Sequence, residues 1–365
     1  MRVLFLHTER EWSGSARAFA AAAAGLAQRG WQVTFVCPPE SETEERLAGV
    51  SQYEVIPVEP GGGWAGESRR LRRVLLDKFV EAVFVHTERE HLAAAAATRW
   101  AERGAVVRRT PAGGALEWNA ASKMALRLAS GGFLFTSEVE RQRAPEAPRA
   151  LEPVVADLGV DVAAYEAVRP APAASLGGGP ASRFIVCVSD ASATGRTATV
   201  LRTLALLAPR HPELRFVFVG PGTDSEDLRM HAAALRVGGL VRFLGEREDQ
   251  LEVLRAADLG WVVADGDNAA FGVLDCMALR VPVLADRGTV AERYVADGIT
   301  GVLLPAADAP ATAATVAGLL AHGDERAAMG NAGRLRVARE FPESEMVDGF
   351  QRALDAARDR TRWVR

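Results

Sequence analysis

Residues 3–30, VLFLHTEREWSGSARAFAAAAAGLAQRG, pass from a short apolar run through a polar break into an alanine-rich stretch of helical character. The same order returns at 82–104, AVFVHTEREHLAAAAATRWAERG, with HTERE copied at 7–11 and 86–90. An unbroken apolar run too short for a helix predicts a strand buried on both faces. Strand followed by helix predicts a parallel sheet covered on both sides. The alternation continues through QVTFVC (32–37), AVVRR (105–109) and GFLFTS (132–137). It restarts with RFIVCVS (183–189), RFVFVG (215–220), VRFLG (241–245), LGWVVA (259–264), VPVLA (281–285) and GVLLP (301–305).

The expected fold class is therefore α/β, with two Rossmann-like lobes and a cleft between them. A chain of 365 residues exceeds one ordinary core. The expected division is 1–167 for the first lobe, 168–182 (VRPAPAASLGGGPAS) as linker, and 183–345 for the second. Residues 346–365 are expected to form a terminal helix, for which a return to the first lobe is left open. Proline, glycine and alanine in the linker offer little apolar area to bury.

Composition narrows the classes. Hydrophobic content of 48%, charged content of 25% and a net charge of -4 describe an ordinary globular chain without the basic excess of a nucleic-acid binder. Lys78 and Lys123 are the only lysines among 43 basic residues, so any phosphate-binding cation beyond residue 150 must be arginine. Cys37, Cys187 and Cys276 are odd in number and far apart, which suggests neither a disulfide framework nor a zinc site and fits a reducing cytoplasm. Residues 1–7 read as a strand rather than an export signal, which disfavours a periplasmic two-lobe binding protein. The longest apolar stretches are too short to span a bilayer. Peripheral membrane contact stays open, and nothing in the sequence fixes the oligomeric state.

Ligands of open parallel sheets sit beyond the carboxyl ends of the strands. Both HTERE copies begin where a strand stops, so His7 and His86 are expected on the same edge, with Arg10 and Arg89 behind them. Internal duplication and chance convergence are both open, and FTSEVER (135–141) is a looser third echo. WSGSAR (12–17) places Ser13, Gly14 and Ser15 before a helix, where exposed N–H groups can receive an anion. No GxGxxG or GxxxxGK[ST] is present, so dinucleotide enzymes and P-loop ATPases drop away.

FVFVGPGTDSEDLRMHA, VRFLGEREDQLEVLRAADLGWVV, DNAAFGVLDCMALRVPVLADRGTVAERYVADGITGVLLP and RAAMGNAGRLRVAREF occur in this order in the second half. Their spacing resembles that of family-4-type, GT-B-fold retaining glycosyltransferases. SGSAR, GWQVTFVCP, FTSEVER and LGVDVAAY extend the resemblance into the first half. It implies transfer of a hexosyl group from a nucleotide-diphospho-sugar donor to a hydroxyl acceptor (glycan, lipid or small molecule), as in bacterial glycan biosynthesis, with no cofactor and no metal.

Residue by residue, the family's two glutamates, eight positions apart, fall on Asp267 and Asp275. One touches the donor sugar and the other accepts from the nucleotide ribose. A carboxylate suits a ribose diol, because one acceptor group can serve two O–H donors. The readings without function are a helix N-cap at Asp267 and a solvated helix face at Asp275.

The resemblance assigns Gly220, Gly222, Gly245 and Glu292 to the donor, together with Ser13, Gly14 and Ser15. Asp267, Arg196 and His86 are the catalytic candidates, and Arg10, Arg89, Arg108 and Arg109 lie on the acceptor side. Three positions depart from the family. Its Gly-Phe-Gly becomes Asn268, Ala269 and Ala270; its two phosphate cations fall on Asp190 and Gly195; and its N-terminal-lobe histidine falls on Thr110 or Pro111. Arg196, Arg247 and Arg287 are the candidate substitutes for the lost cations. DGD (265–267) looks like the metal-binding Asp-x-Asp of another glycosyltransferase fold, but the two-lobe pattern argues against a metal there. The alternative to an enzyme is a catalytically degenerate GT-B protein serving as a binding or scaffold partner.

Overall fold

The computed structural model describes residues 1–129, 131–190 and 194–361. The chain forms two compact units, Met1–Leu158 together with the chain from Glu343 on, and Gly159–Pro342.

The first unit is built on strands β1 (Arg2–Leu6), β2 (Gln32–Cys37), β3 (Glu54–Pro57), β4 (Ala82–Val85), β5 (Ala105–Arg109), β6 (Gly132–Phe135) and β7 (Val154–Val155). They pair in parallel in the order β3-β2-β1-β4-β5-β6-β7. The second unit has β8 (Arg183–Ser189), β9 (Leu214–Val219), β10 (Val241–Phe243), β11 (Leu259–Val263), β12 (Val283–Asp286) and β13 (Gly301–Leu304), parallel in the order β10-β9-β8-β11-β12-β13. In each sheet the chain winds outward from a central strand, then returns to that strand's other side. The order reverses between β1 and β4 and again between β8 and β11, and such points open a crevice for ligands.

Successive side chains of a strand point to opposite faces. Leu4 and Leu6 of β1 pack on one face with Val36, Val83, Val85 and the alanines of helix Glu88–Ala101. Phe5 points to the other face, stacked on Phe84 at 4.7 Å and edge-on to Phe19 at 5.3 Å. The helix Glu343–Arg360 closes this face, with Phe350 at 5.3 Å from Phe84 and 5.9 Å from Phe5. Its Gly349 lies against Ala156, where an added Cβ would come within 2.1 Å of the alanine methyl. The terminal helix is thus part of the first unit's core.

The expected domain limits need correction. The division falls at Leu158/Gly159 and Pro342/Glu343, and residues 168–182 are not a linker. Leu176 is buried, Ala171 N–H donates to Glu252 O at 2.8 Å, and Arg215 Nε donates to Gly177 O at 3.3 Å. One buried leucine and these backbone bonds strap the segment to the second unit. β3 and β7 were not expected from the sequence; both are short, and β3 lies at a sheet edge with half-exposed residues and a terminal proline.

Candidate functional site

In the first unit, β1 and β4 run side by side and deliver His7 and His86 to the same edge. The imidazoles stack with centroids 4.8 Å apart and planes 6° apart. The two HTERE copies nevertheless fold differently. In the second, Thr87 caps helix Glu88–Ala101 in a capping box with Glu90. In the first, the chain continues as a loop to Ser13, which caps helix Gly14–Gln28 by accepting from Ala16 N–H. Identical residues therefore serve complementary parts: Glu90 of the second copy accepts from Thr8 N–H at 2.7 Å and Thr8 Oγ1 at 2.9 Å in the first. It also accepts from the N–H groups of His86 and Thr87 at 3.0 and 3.1 Å. The third echo repeats the device, since Glu140 accepts from Thr136 Oγ1 and Gly113 N–H.

Burial opposes charge on His86, but the carboxylates of Glu90, 2.8 Å from Nδ1, and Glu9, 3.4 Å from Nε2, outweigh it and push the imidazole up to about 10. Burial and then the His86 cation push His7 down to about 4. Burial also favours neutral Glu90, yet the His86 cation and the donated hydrogen bonds hold it far below the usual carboxylate range. At neutral pH the edge thus carries a His86 cation between two carboxylates, beside a neutral His7.

The other first-unit candidates are committed to the protein itself. Arg10 pairs with Glu59 at 2.9 Å and donates to Pro39 O, and Arg89 forks onto Glu67. Arg108 and Arg109 are not on the surface: both are buried in β5, Arg108 donating to Ser122 Oγ at 3.2 Å and Arg109 lying near enough to Glu140 to oppose the upward push that burial gives its carboxyl. Gly14 and Ser15 lie buried in the first turn of their helix, where Ser13 already satisfies one N–H.

In the second unit, the residues after β8 and β11 meet at the switch point. Ser189 Oγ bonds Thr197 Oγ1 and Val263 O, both at 3.1 Å, tying the two strand ends together. The helix Gly266–Ala278 starts there, with Asp265 as its N-cap and no side-chain cap bond from that residue. Asp190 reaches across instead, its Oδ2 accepting from Asp265 N–H at 3.5 Å and Asn268 Nδ2 at 3.4 Å. Arg196 pairs with Asp265 at 2.6 Å, and its charge also reaches Asp286, whose carboxyl burial pushes up.

Asp267 is 4% exposed and Asp275 1% exposed, so neither is an N-cap or a solvated face. Tyr165 donates its hydroxyl to Asp275 Oδ1. Gly220, at φ +123°, has room for no Cβ, which would fall 2.0 Å from Ser189 O; its N–H donates to Gly245 O at 2.9 Å. Gly222 and Gly245 also have positive φ, and Glu292 accepts from Gly288 N–H at 2.8 Å. Of the candidate substitute cations, Arg247 forks onto Asp249 and Arg287 pairs with Asp297, which leaves Arg196 nearest the switch point. Sequence reasoning missed Glu9, Glu90 and Tyr165. The Thr-x-x-Glu spacing of a capping box was the available signal for Glu90.

Residues 176–336 match the family of glycosyl transferases group 1. A phosphatidyl-myo-inositol mannosyltransferase of Mycolicibacterium smegmatis is 33% identical over 36% of this chain and 34% of its own length. A D-inositol 3-phosphate glycosyltransferase of Mycolicibacterium gilvum is 29% identical over 54% and 46%. The chain thus spans about a third to a half of the curated relatives it matches. Among solved structures, Anabaena HepE in complex with UDP-glucose superposes with a TM-score of 0.78 at 16% identity, covering 98% of this chain and 100% of that one. A Rickettsia africae glycosyltransferase gives 0.78 at 14% identity, covering 97% and 98%. The two-sheet α/β architecture is that of the GT-B fold, as expected from the sequence.

Proposed function

We propose that this chain, whose residues 176–336 carry the group 1 glycosyl transferase pattern, moves a hexosyl group from a nucleotide-diphospho-sugar to a hydroxyl acceptor with retention. The observation that carries the reading is the pair Asp267 and Asp275, both buried on the helix that starts at the β8/β11 switch point. A buried carboxylate is costly unless polar partners hold it, so two on one helix mark a built polar site. Asp275 accepts the ribose hydroxyls, Asp267 contacts the hexose, and Gly220, Gly222, Gly245 and Glu292 shape the loops around the donor. Arg196 is the cation that receives the departing diphosphate. Leaving-group stabilisation and orientation supply most of the catalysis, without metal or cofactor at this lobe.

Relatives named for phosphatidylinositol substrates suggest a lipid-linked acceptor and peripheral membrane contact from the cytoplasmic side. No helix among the described residues is long and apolar enough to cross a membrane. The exposed Trp64 and Trp100, 6.5 Å apart, with Arg69, Arg72 and Arg73 on the helix of Trp64, form the candidate contact face.

A specific observation favours the second reading, a non-catalytic partner. Asp190 places a carboxylate at the helix end where a phosphate would gain most from the backbone, and Arg196 is already paired. Melting curves with UDP, GDP, ADP, TDP and their sugar conjugates, repeated on Asp275→Ala, test donor binding, because a ligand of the folded state raises the melting temperature. A shift with one nucleotide, lost in the variant, is expected. Absence of any shift at millimolar ligand overturns the donor site. Binding of an intact sugar nucleotide without release of nucleoside diphosphate, with acceptors supplied, favours the partner.

A further inference from the structure

The edge formed by β1 and β4 holds chemistry that sugar transfer at the second unit does not use. Three side chains converge there: His7, Glu9 and His86 each present a ligand atom within 4.8 Å of the other two. Glu9 Oε2 lies 3.4 Å from His86 Nε2 and 3.7 Å from His7 Nε2. Ligand atoms about 2.0–2.2 Å from one tetrahedral ion are separated from each other by about 3.4 Å. Two of the separations already approach that value.

Two further features bear on this cluster. His86 is set between carboxylate oxygens 2.8 Å from Nδ1 and 3.4 Å from Nε2, and neither of its buried nitrogens has an aligned hydrogen bond. Behind His86, Glu90 faces Nδ1 and is itself fixed by donors from Thr8, His86 and Thr87. A carboxylate on the far nitrogen of an imidazole, locked by its own hydrogen bonds, orients a metal-bound histidine and strengthens it as a donor.

We infer that His7, Glu9 and His86 form a binding site for a divalent first-row transition ion, with Glu90 orienting His86. Two imidazoles and one carboxylate suit such an ion better than calcium or magnesium, which prefer oxygen. A dipositive ion there is met by the carboxylates of Glu9 and Glu90, which flank His86 at 3.4 and 2.8 Å. Glu9 is half exposed, which gives the ion an entry path and leaves its outer positions to water. Ser13 Oγ lies 3.5 Å from His7 Nε2. The site is independent of the proposed transfer reaction, and its failure would leave the donor site untouched.

The test uses the full chain, stripped with chelator and desalted. Zn²⁺ is titrated by calorimetry and Co²⁺ by its visible absorption bands. One equivalent is expected to bind, with the intense Co²⁺ bands of a site that includes nitrogen ligands and fewer than six donors. His7→Gln and Glu9→Gln are each expected to weaken Zn²⁺ by roughly 100-fold or more, and Glu90→Gln by about 10–100-fold. His211→Gln, at the surface pair with Glu213, is expected to change nothing. Glu9 is on an exposed loop, so its variant reports even if the buried His7 variant does not fold. The inference is overturned by absence of a stoichiometric step, or by a step that Glu9→Gln leaves within twofold.

Discussion

His7 and His86, delivered by the adjacent strands β1 and β4, lie ring on ring at 4.8 Å, yet burial and mutual repulsion leave only His86 charged. The asymmetry comes from Glu90, which faces His86 Nδ1 from below and accepts the Thr8 and Thr87 donors around it. Glu90→Gln removes the charge but keeps the shape. Breaking a buried pair from one side costs about 3–5 kcal/mol, because the remaining charge is stranded. The variant is expected to lose about that much in urea unfolding. In a His86→Gln background the same change should cost less, which a double-mutant cycle measures. Equal losses in both backgrounds would mean that Glu90 acts through the donors of Thr8, Thr87 and the His86 backbone, and not through the imidazole.

The third buried histidine of this lobe sets an acid limit. His91 is buried in helix Glu88–Ala101 with neither ring nitrogen hydrogen-bonded; burial, then the Arg108 charge, push it down to about 3. The charge that reaches it is Arg108, which opposes protonation, and Phe133 packs perpendicular to it at 5.8 Å. With the folded value below the ordinary 6.5, the unfolded chain binds the extra proton between the two values. Stability is therefore fully present above about pH 6.5 and falls by about 1.4 kcal/mol per pH unit as pH drops through that window toward 3. His91→Leu is expected to flatten this part of the stability curve, measured by urea midpoints from pH 7 to pH 4. An unchanged slope would assign the acid limb to other groups.

The central strands were legible because they are buried on both faces. AVVRR and RFIVCVS match β5 and β8 end to end. The edge strands were not, since β3 is only half-buried and β7 has two residues. Residues 168–182 misled for a related reason: their composition lacks apolar area, but the single side chain of Leu176 and a few backbone bonds suffice to hold them. At the sites, placement behind strand ends could be read from pattern. Partnership could not. Tyr165 and Asp275 are separated by 110 positions, and Glu90 joins Thr8 over 82. Nothing local in either stretch specifies the other.

Tyr165→Phe tests how much of the second unit's site is prearranged. The phenol donates to Asp275 Oδ1, and both side chains are buried. Loss of one donor to a buried carboxylate costs about 1–3 kcal/mol. A fall of that size in thermal stability is expected. If Asp275 also receives the ribose, nucleotide affinity should change with it, whereas a purely structural bond would lower the melting temperature and leave the ligand-induced shift intact.

Asp190→Asn distinguishes a weak donor site from an abandoned one. Asp190 Oδ2 sits at the amino end of helix Gly266–Ala278, near Asn268 Nδ2, while Arg196 is drawn to Asp265. Two unit charges about 4 Å apart interact by ~4 kcal/mol at a surface-like effective dielectric, and a partly screened fraction of that still spans a decade in affinity. Neutralising the carboxylate is expected to tighten the nucleoside diphosphate by roughly 10-fold or more and to steepen its dependence on salt. Calorimetric titration with the nucleotide that shifts the melting curve measures both. An affinity unchanged by the substitution would place the phosphates away from this helix end and remove Arg196 from the leaving-group role.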